Sequence, residues 1–189
     1  MRRALGLVLI TVMLIVATFT GIAATGSAIA QEGTPAPGAE QTAGGSNPVV
    51  GDTVTFISES GSKIAELALT DVILPWNEYS EYYDPNRGKH YVAFVIEITN
   101  FGTRGNLVVR ADDFRVQDVD GFFYSRSTSD AADDATLVPT GSEIAIGPGE
   151  MGEMIVVYPV LDGVELSHLF WQPDFDRLLT IANLDTLEP

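Results

Sequence analysis

The chain has 189 residues, 46% of them hydrophobic, and no cysteine. That excludes disulfide-stapled scaffolds, thiolate zinc and iron–sulfur sites, and thiol enzymes. Lys and Arg number 10 against 26 Asp and Glu, a net charge of −16, which opposes binding to nucleic acid or to anionic lipid, since both require a basic face.

Residues 1–30 read as a targeting segment. Arg2 and Arg3 are followed by an uncharged, largely apolar run from Ala4 to Ala24, and Ala28-Ile29-Ala30 forms a small-x-small cleavage signature before Gln31. The reading is a secretory signal; an uncleaved anchor is the alternative, since about 20 apolar residues can span a bilayer. Cleavage removes Arg2 and Arg3 and leaves 8 basic against 26 acidic residues, or −18. Residues 31–48, QEGTPAPGAEQTAGGSNP, contain no large apolar side chain and cannot form a core. Their Pro and Gly content suits a flexible tether, or a leader with no role of its own.

From Val49 to Pro189 the apolar pattern has period two. Thr53 to Ser58 and Ile64 to Ile73 alternate, as half-buried strands do. His90 to Thr99 is the central strand, with Val92, Phe94, Ile96 and Ile98 facing the core and Tyr91, Ala93, Val95, Glu97 and Thr99 facing away. Leu107 to Arg110, Phe114 to Val119, Phe122 to Ser125, Ser142 to Ile146, Met154 to Val160 and Glu165 to Gln172 follow, with Leu178 to Leu184 as a last edge strand. The Asp120-Gly121 pair marks a tight turn. About eight short strands without a helical stripe imply an all-β fold, an antiparallel immunoglobulin-like β-sandwich.

Three blocks carry a family resemblance. They are the strand from Gly88 to Thr99 closed by Asn100, the segment Asp113-Phe114-Arg115-Val116-Gln117-Asp118 with Asp120-Gly121 and Tyr124, and Ile146-Gly147-Pro148-Gly149-Glu150 leading into Met154 to Tyr158. Their order resembles a family of secreted or lipid-anchored bacterial proteins of unknown function with a telokin-like, immunoglobulin-type sandwich, similar to the mycobacterial immunoprotective secreted antigen. The resemblance runs from about Gly51 to Gln172, implies that fold and export, and brings no catalytic residues. The chain departs from the family in lacking a lipid-attachment cysteine, and in a long acidic insertion, Ser125 to Gly141, that leaves the sheet edge there undetermined. Independently of any family, Asn100 suits a strand end, where Asn tolerates left-handed geometry and caps turns. Gly147-Pro148-Gly149 suits a bend between sheets.

Catalytic patterns fail on context. Gly147, Gly149 and Gly152 spell GxGxxG but precede a strand instead of a helix, with Glu150 where a phosphate would sit. Ser60-Gly61-Ser62-Lys63 fits SxxK and Ser129-Asp130-Ala131 approaches SDN, yet the first falls in a hairpin turn and no KTG exists. His90 and His168, the two histidines, lie on strands and read as partly buried residues hydrogen-bonded to neighbours. An all-oxygen calcium site could draw on Asp112, Asp113, Asp118 and Asp120, or on Asp130, Asp133 and Asp134, though neither set has EF-hand spacing. No cofactor, resident metal or catalytic residue is expected.

The unusual segment is Pro75 to Tyr91, PWNEYSEYYDPNRGKHY, a connection between strands rich in aromatics. Aromatic rings with polar tips on a loop are recognition chemistry, so Trp76, Tyr79, Tyr82 and Tyr83 are the candidate binding residues, while the strand faces offer nothing comparable. The alternative is that Trp76 and one or two tyrosines fold back and cover the sandwich. Trp171 reads as core. The expected function is a secreted or cell-surface, non-catalytic binding or structural module, with a protein or cell-envelope component as partner, no nucleic acid, and membrane contact only through an uncleaved N-terminal segment. The alternatives are a calcium-stabilised adhesion domain and a secreted hydrolase.

Overall fold

A computed structural model describes residues 47–127, 130–174, 176–185 and 187. The signal segment, the tether before Asn47 and Ser129 lie outside the described residues.

Among the described residues ten strands form: β1 (Thr53–Ile57), β2 (Lys63–Ile73), β3 (Lys89–Asn100), β4 (Leu107–Arg110), β5 (Phe114–Asp118), β6 (Phe123–Tyr124), β7 (Glu143–Ile146), β8 (Met151–Leu161), β9 (Leu166–Asp174) and β10 (Arg177–Asn183). They pair antiparallel in two four-stranded sheets, ordered β1-β2-β3-β8 and β10-β9-β5-β6, with β4 and β7 as a separate ribbon. The all-β antiparallel sandwich expected from the period-two pattern is present. Every segment that alternates in the sequence forms a strand, so the number is ten rather than about eight.

The inner faces meet through the alternating residues. Val92, Phe94, Ile96 and Ile98 of β3 and Met154, Val156, Tyr158 and Val160 of β8 join the same buried cluster as Phe114, Val116, Leu169, Trp171 and Ile181 of the other sheet. Aromatic pairs lock the packing: Phe56 meets Trp171 edge-on at 5.2 Å between ring centroids, Phe94 meets Tyr158 at 5.8 Å, and Phe114 stacks on Trp171 at 6.5 Å. Burying each such side chain contributes about 1.5–3 kcal/mol.

One expectation about β3 needs correction. Its outward residues Tyr91, Ala93 and Val95 are buried as well, and among the outward set only Glu97 is fully exposed. The reason is a second, smaller cluster of Trp76, Tyr91, Ala93 and Val157 on the outer face of that sheet, joined by Ile73, Tyr79, Ala131 and Leu137.

The bends are held by side chains. Asn100 is buried, accepts the Gly102 N–H at 2.7 Å and donates to the Ile146 carbonyl at 2.9 Å. Its own backbone N–H and carbonyl pair with Glu150 and Gly149, so the end of β3 is tied to the turn that leads from β7 into β8. Gly149 has φ +77° in that turn, a region that glycine enters without strain. Gly152 has no room for a Cβ, which would meet Ile146 Cγ1 at 2.9 Å; the ribbon packs on β8 there.

Candidate functional site

The aromatic connection after β2 and the acidic insertion before β7 fold together on the outer face of the β1-β2-β3-β8 sheet. Tyr79 and Ala131 form an isolated antiparallel bridge. Ser80 donates its N–H to the Asp130 carbonyl at 2.9 Å, and Ala132 to the Glu78 carbonyl at 2.7 Å. The Glu78 carboxylate accepts the Thr136 N–H at 2.9 Å, the Thr136 hydroxyl at 2.6 Å and the Leu137 N–H at 2.8 Å. These donors, the Thr136 hydroxyl first among them, hold the Glu78 carboxyl below the usual carboxylate range.

Below this clamp Trp76, Tyr79 and Tyr91 pack against one another with centroids 5.3 to 6.2 Å apart. Trp76 is 1% exposed, so it is not a surface anchor: it and Tyr79 are the side chains that fold back over the sheet, driven there by the apolar outward residues Ala93 and Val157. Tyr79 keeps its hydroxyl on Asp84 Oδ1 at 3.2 Å. Tyr83 is partly buried, and the Asp130 carboxylate near its hydroxyl pushes the Tyr83 pKa up. Tyr82, in the 3-10 turn Glu81–Tyr83, is 85% exposed. The four candidate aromatics thus do not share one surface; two build a platform, one braces it, and Tyr82 is displayed on it beside exposed Glu81 and Asp84.

The insertion also closes the edge of β8. Ser127 donates to the Val157 carbonyl at 2.8 Å, Thr140 to the Ile155 carbonyl at 2.9 Å, and the Ile155 N–H reaches the Thr140 hydroxyl at 2.8 Å. The edge that the sequence left undetermined is therefore covered, as exposed strand edges in native proteins are. A cleft of about 210 Å³ lies between the two legs, lined by Arg126, Ser127, Asp130, Thr140 and Ser142 above β8. Arg126 pairs there with Asp112.

Five of the titratable residues singled out in the sequence, His90, His168, Asp112, Asp113 and Asp118, have protein partners. His90 Nδ1 lies 3.0 Å from Asp162 Oδ1, with no serine or threonine bonded to that ring among the described residues. His168 Nδ1 lies 3.0 Å from the Ser167 hydroxyl. Asp113 accepts the Arg110 N–H at 3.3 Å, and Asp118 the Phe122 N–H at 2.9 Å and the Tyr124 hydroxyl at 3.0 Å. Burial, with Asp118 beside it, pushes the Tyr124 pKa up to about 12. Among the described residues no three carboxylate or imidazole groups converge as metal ligands would. Gly147 to Gly152 form the β7–β8 turn and the start of β8, and the Glu150 carboxylate accepts the Gly147 N–H at 3.1 Å inside that turn.

The second surface was not foreseen from the sequence. On the outer face of the other sheet Phe123 lies 6.0 Å from Phe170, and His168 stacks on Phe170 at 5.4 Å. Phe122 and Phe123 are 70% and 53% exposed. The statement that the strand faces offer nothing comparable is thereby corrected. The signal was present in Phe122-Phe123-Tyr124: alternation that turns Tyr124 inward turns Phe123 out, beside the outward Phe170 of β9.

No family model matches the chain, and no curated protein matches it. Among solved structures it is similar to the secreted protein MPT63 from Mycobacterium tuberculosis, with 15% identity and a TM-score of 0.46 over 71% of this chain and 96% of that one. It is also similar to the yjhA protein from Bacillus subtilis, with 14% identity and a TM-score of 0.51 over 73% of this chain and 99% of that one. The likeness is one of fold. It carries no assignment of Tyr82, Phe123 or the cleft.

Proposed function

We propose that the chain is an exported, non-catalytic recognition module of the cell surface or extracellular space, a member of the telokin-like family it resembles, that meets a protein or cell-envelope component through Tyr82. The observation that carries this reading is the contrast within one loop. Trp76, Tyr79 and the Glu78 clamp immobilise the connection, while Tyr82 stands 85% exposed on it. A rigid loop that presents a large amphipathic ring loses little entropy on binding. Residues 1–30 support export through their basic start, apolar run and small-x-small end.

Binding of the purified chain to cell-envelope fractions of the producing organism tests the proposal. Tyr82→Ser should weaken retention about tenfold, the loss of one modest hot spot, with the melting temperature unchanged. Equal retention of both proteins would remove Tyr82 from the reading. N-terminal sequencing of exported protein should begin at Gln31, and an intact Met1 would point to the anchored form.

A further inference from the structure

We propose that the outer face of β5, β6 and β9, together with the open edge of β6, docks an extended cationic segment of a partner protein. Val119, Phe122 and Phe123, at 55%, 70% and 53% exposed, gather at the single turn that links β5 to β6. Exposed apolar side chains are ordinarily scattered, and gathered ones mark interaction sites. Phe170 and His168 continue the rings across the face of β9.

Among the described residues nothing pairs with the outer edge of the backbone beside those rings. β6 is the last strand of its sheet. The Phe122 carbonyl accepts the Asp118 N–H at 3.1 Å, and Tyr124 stands opposite Val116. By the alternation of an antiparallel ladder, the N–H and carbonyl of Phe123 then face away from β5. An unpaired edge with apolar side chains next to it is the arrangement that strand addition uses, the ladder contributing affinity and alternate side chains contributing specificity.

Charge selects the partner. The turn carries the Asp118 carboxylate inside it and the exposed Asp120 at its tip, and exposed Glu165 is held alongside by the Val119 N–H, which donates to its carbonyl at 3.1 Å. The basic residue of this face, Arg115, turns away to the carbonyls of Asp112 and Phe114 at the other end of β5. A second copy of the chain would bring the same sign, since from Val49 onward 8 basic residues face 24 acidic ones, and like potentials repel approach. A segment that alternates apolar and basic residues satisfies both halves of the site: its apolar side lies on the rings, its ammonium or guanidinium groups on the carboxylates. The inference stands apart from the Tyr82 platform, which occupies the outer face of the other sheet.

The probe is a fluorescein-labelled peptide of alternating lysine and valine, titrated into the full chain and read by anisotropy, beside its glutamate–valine counterpart. The lysine peptide should bind and the glutamate peptide should not. Combining Phe122→Ser with Phe123→Ser should weaken binding about tenfold or more, and Tyr82→Ser should leave it unchanged, which separates this inference from the platform. A second variant, Asp120→Lys with Glu165→Lys, keeps the rings and should reverse the preference between the two peptides. Equal binding of both peptides, or undiminished binding by the phenylalanine variant, overturns the proposal. So does a dimer in sedimentation that the phenylalanine variant abolishes, because the face would then belong to a second copy.

Discussion

Asn100 reaches across from the end of β3 to Ile146 at the end of β7, donating to its carbonyl at 2.9 Å while accepting the Gly102 N–H at 2.7 Å. With Asn100 only 2% exposed, water cannot replace either bond. Asn100→Ala should therefore cost about 2–3 kcal/mol, the desolvation of two groups left without partners. Asn100→Asp should cost more at neutral pH, because it sets a negative charge against the Ile146 carbonyl, and should recover on acidification as the carboxyl gains a proton. Chemical denaturation at two pH values checks both.

The two faces of β3 are not equivalent in cost. Phe94→Ala removes a ring that is 0% exposed and packed on Tyr158, and a loss of about 3–5 kcal/mol is expected. Glu97→Ala, three residues along and exposed, should change stability by about 0.5 kcal/mol or less. Comparable losses in urea titrations would mean that the register of β3 is displaced by one residue.

Trp76 and Tyr82 differ in kind although six residues separate them. Trp76→Ser empties the centre of the outer cluster and should destabilise by about 3 kcal/mol, whereas Tyr82→Ser should leave the melting temperature within a few degrees. Thermal unfolding of the two variants decides it. If both unfold alike, Tyr82 is part of the cover and the recognition reading of that loop falls.

Glu78 ties pH to loop closure. Its carboxyl is held below the usual range in the fold, so its stabilising bonds are fully present above the ordinary carboxylate pKa and are lost as pH falls through the depressed one. Protection of the Thr136 and Leu137 amides, taken relative to the intrinsic exchange rate at each pH, should be high at neutral pH and fall on acidification. In Glu78→Gln, protection should be lower at neutral pH and its acid dependence should flatten. Exchange that is equally fast in both proteins at neutral pH would show that the clamp does not hold the loops.

Millimolar calcium should leave the melting temperature unchanged, and chelator should not lower it. Asp112, Asp113 and Asp118 already bond Arg126, Arg110 and the Phe122–Tyr124 segment, and breaking those bonds opposes capture of the ion. A rise of several degrees with calcium would favour an adhesion domain instead.

The strands were legible because period-two alternation is a local signal, and β4 appears over the residues, Leu107 to Arg110, that alternation marks. The double burial of β3 was misread although its signal is in the sequence: Tyr91, Ala93 and Val95 are apolar on the side assigned away from the core, and a strand apolar on both faces is covered on both. What covers it was not legible. Glu78 meets Thr136 across 58 residues of chain, and no periodicity links an acidic loop to a threonine at that distance. For the same reason the exposure of Tyr82 and the burial of Trp76 could not be told apart in PWNEYSEYY, where both are aromatics in one polar loop.

Among the described residues the sandwich is covered over part of one outer face and bare on the other. Its two loops cover the β1-β2-β3-β8 sheet and carry Tyr82 outward, whereas Phe123 and Phe170 look the opposite way from the second sheet. Two bodies resting on those faces would never touch each other, held apart by two sheets about 10 Å from one another and by the loop layer above them. If both proposed faces take partners, the domain would act as a spacer of fixed thickness, and neither partner would displace the other.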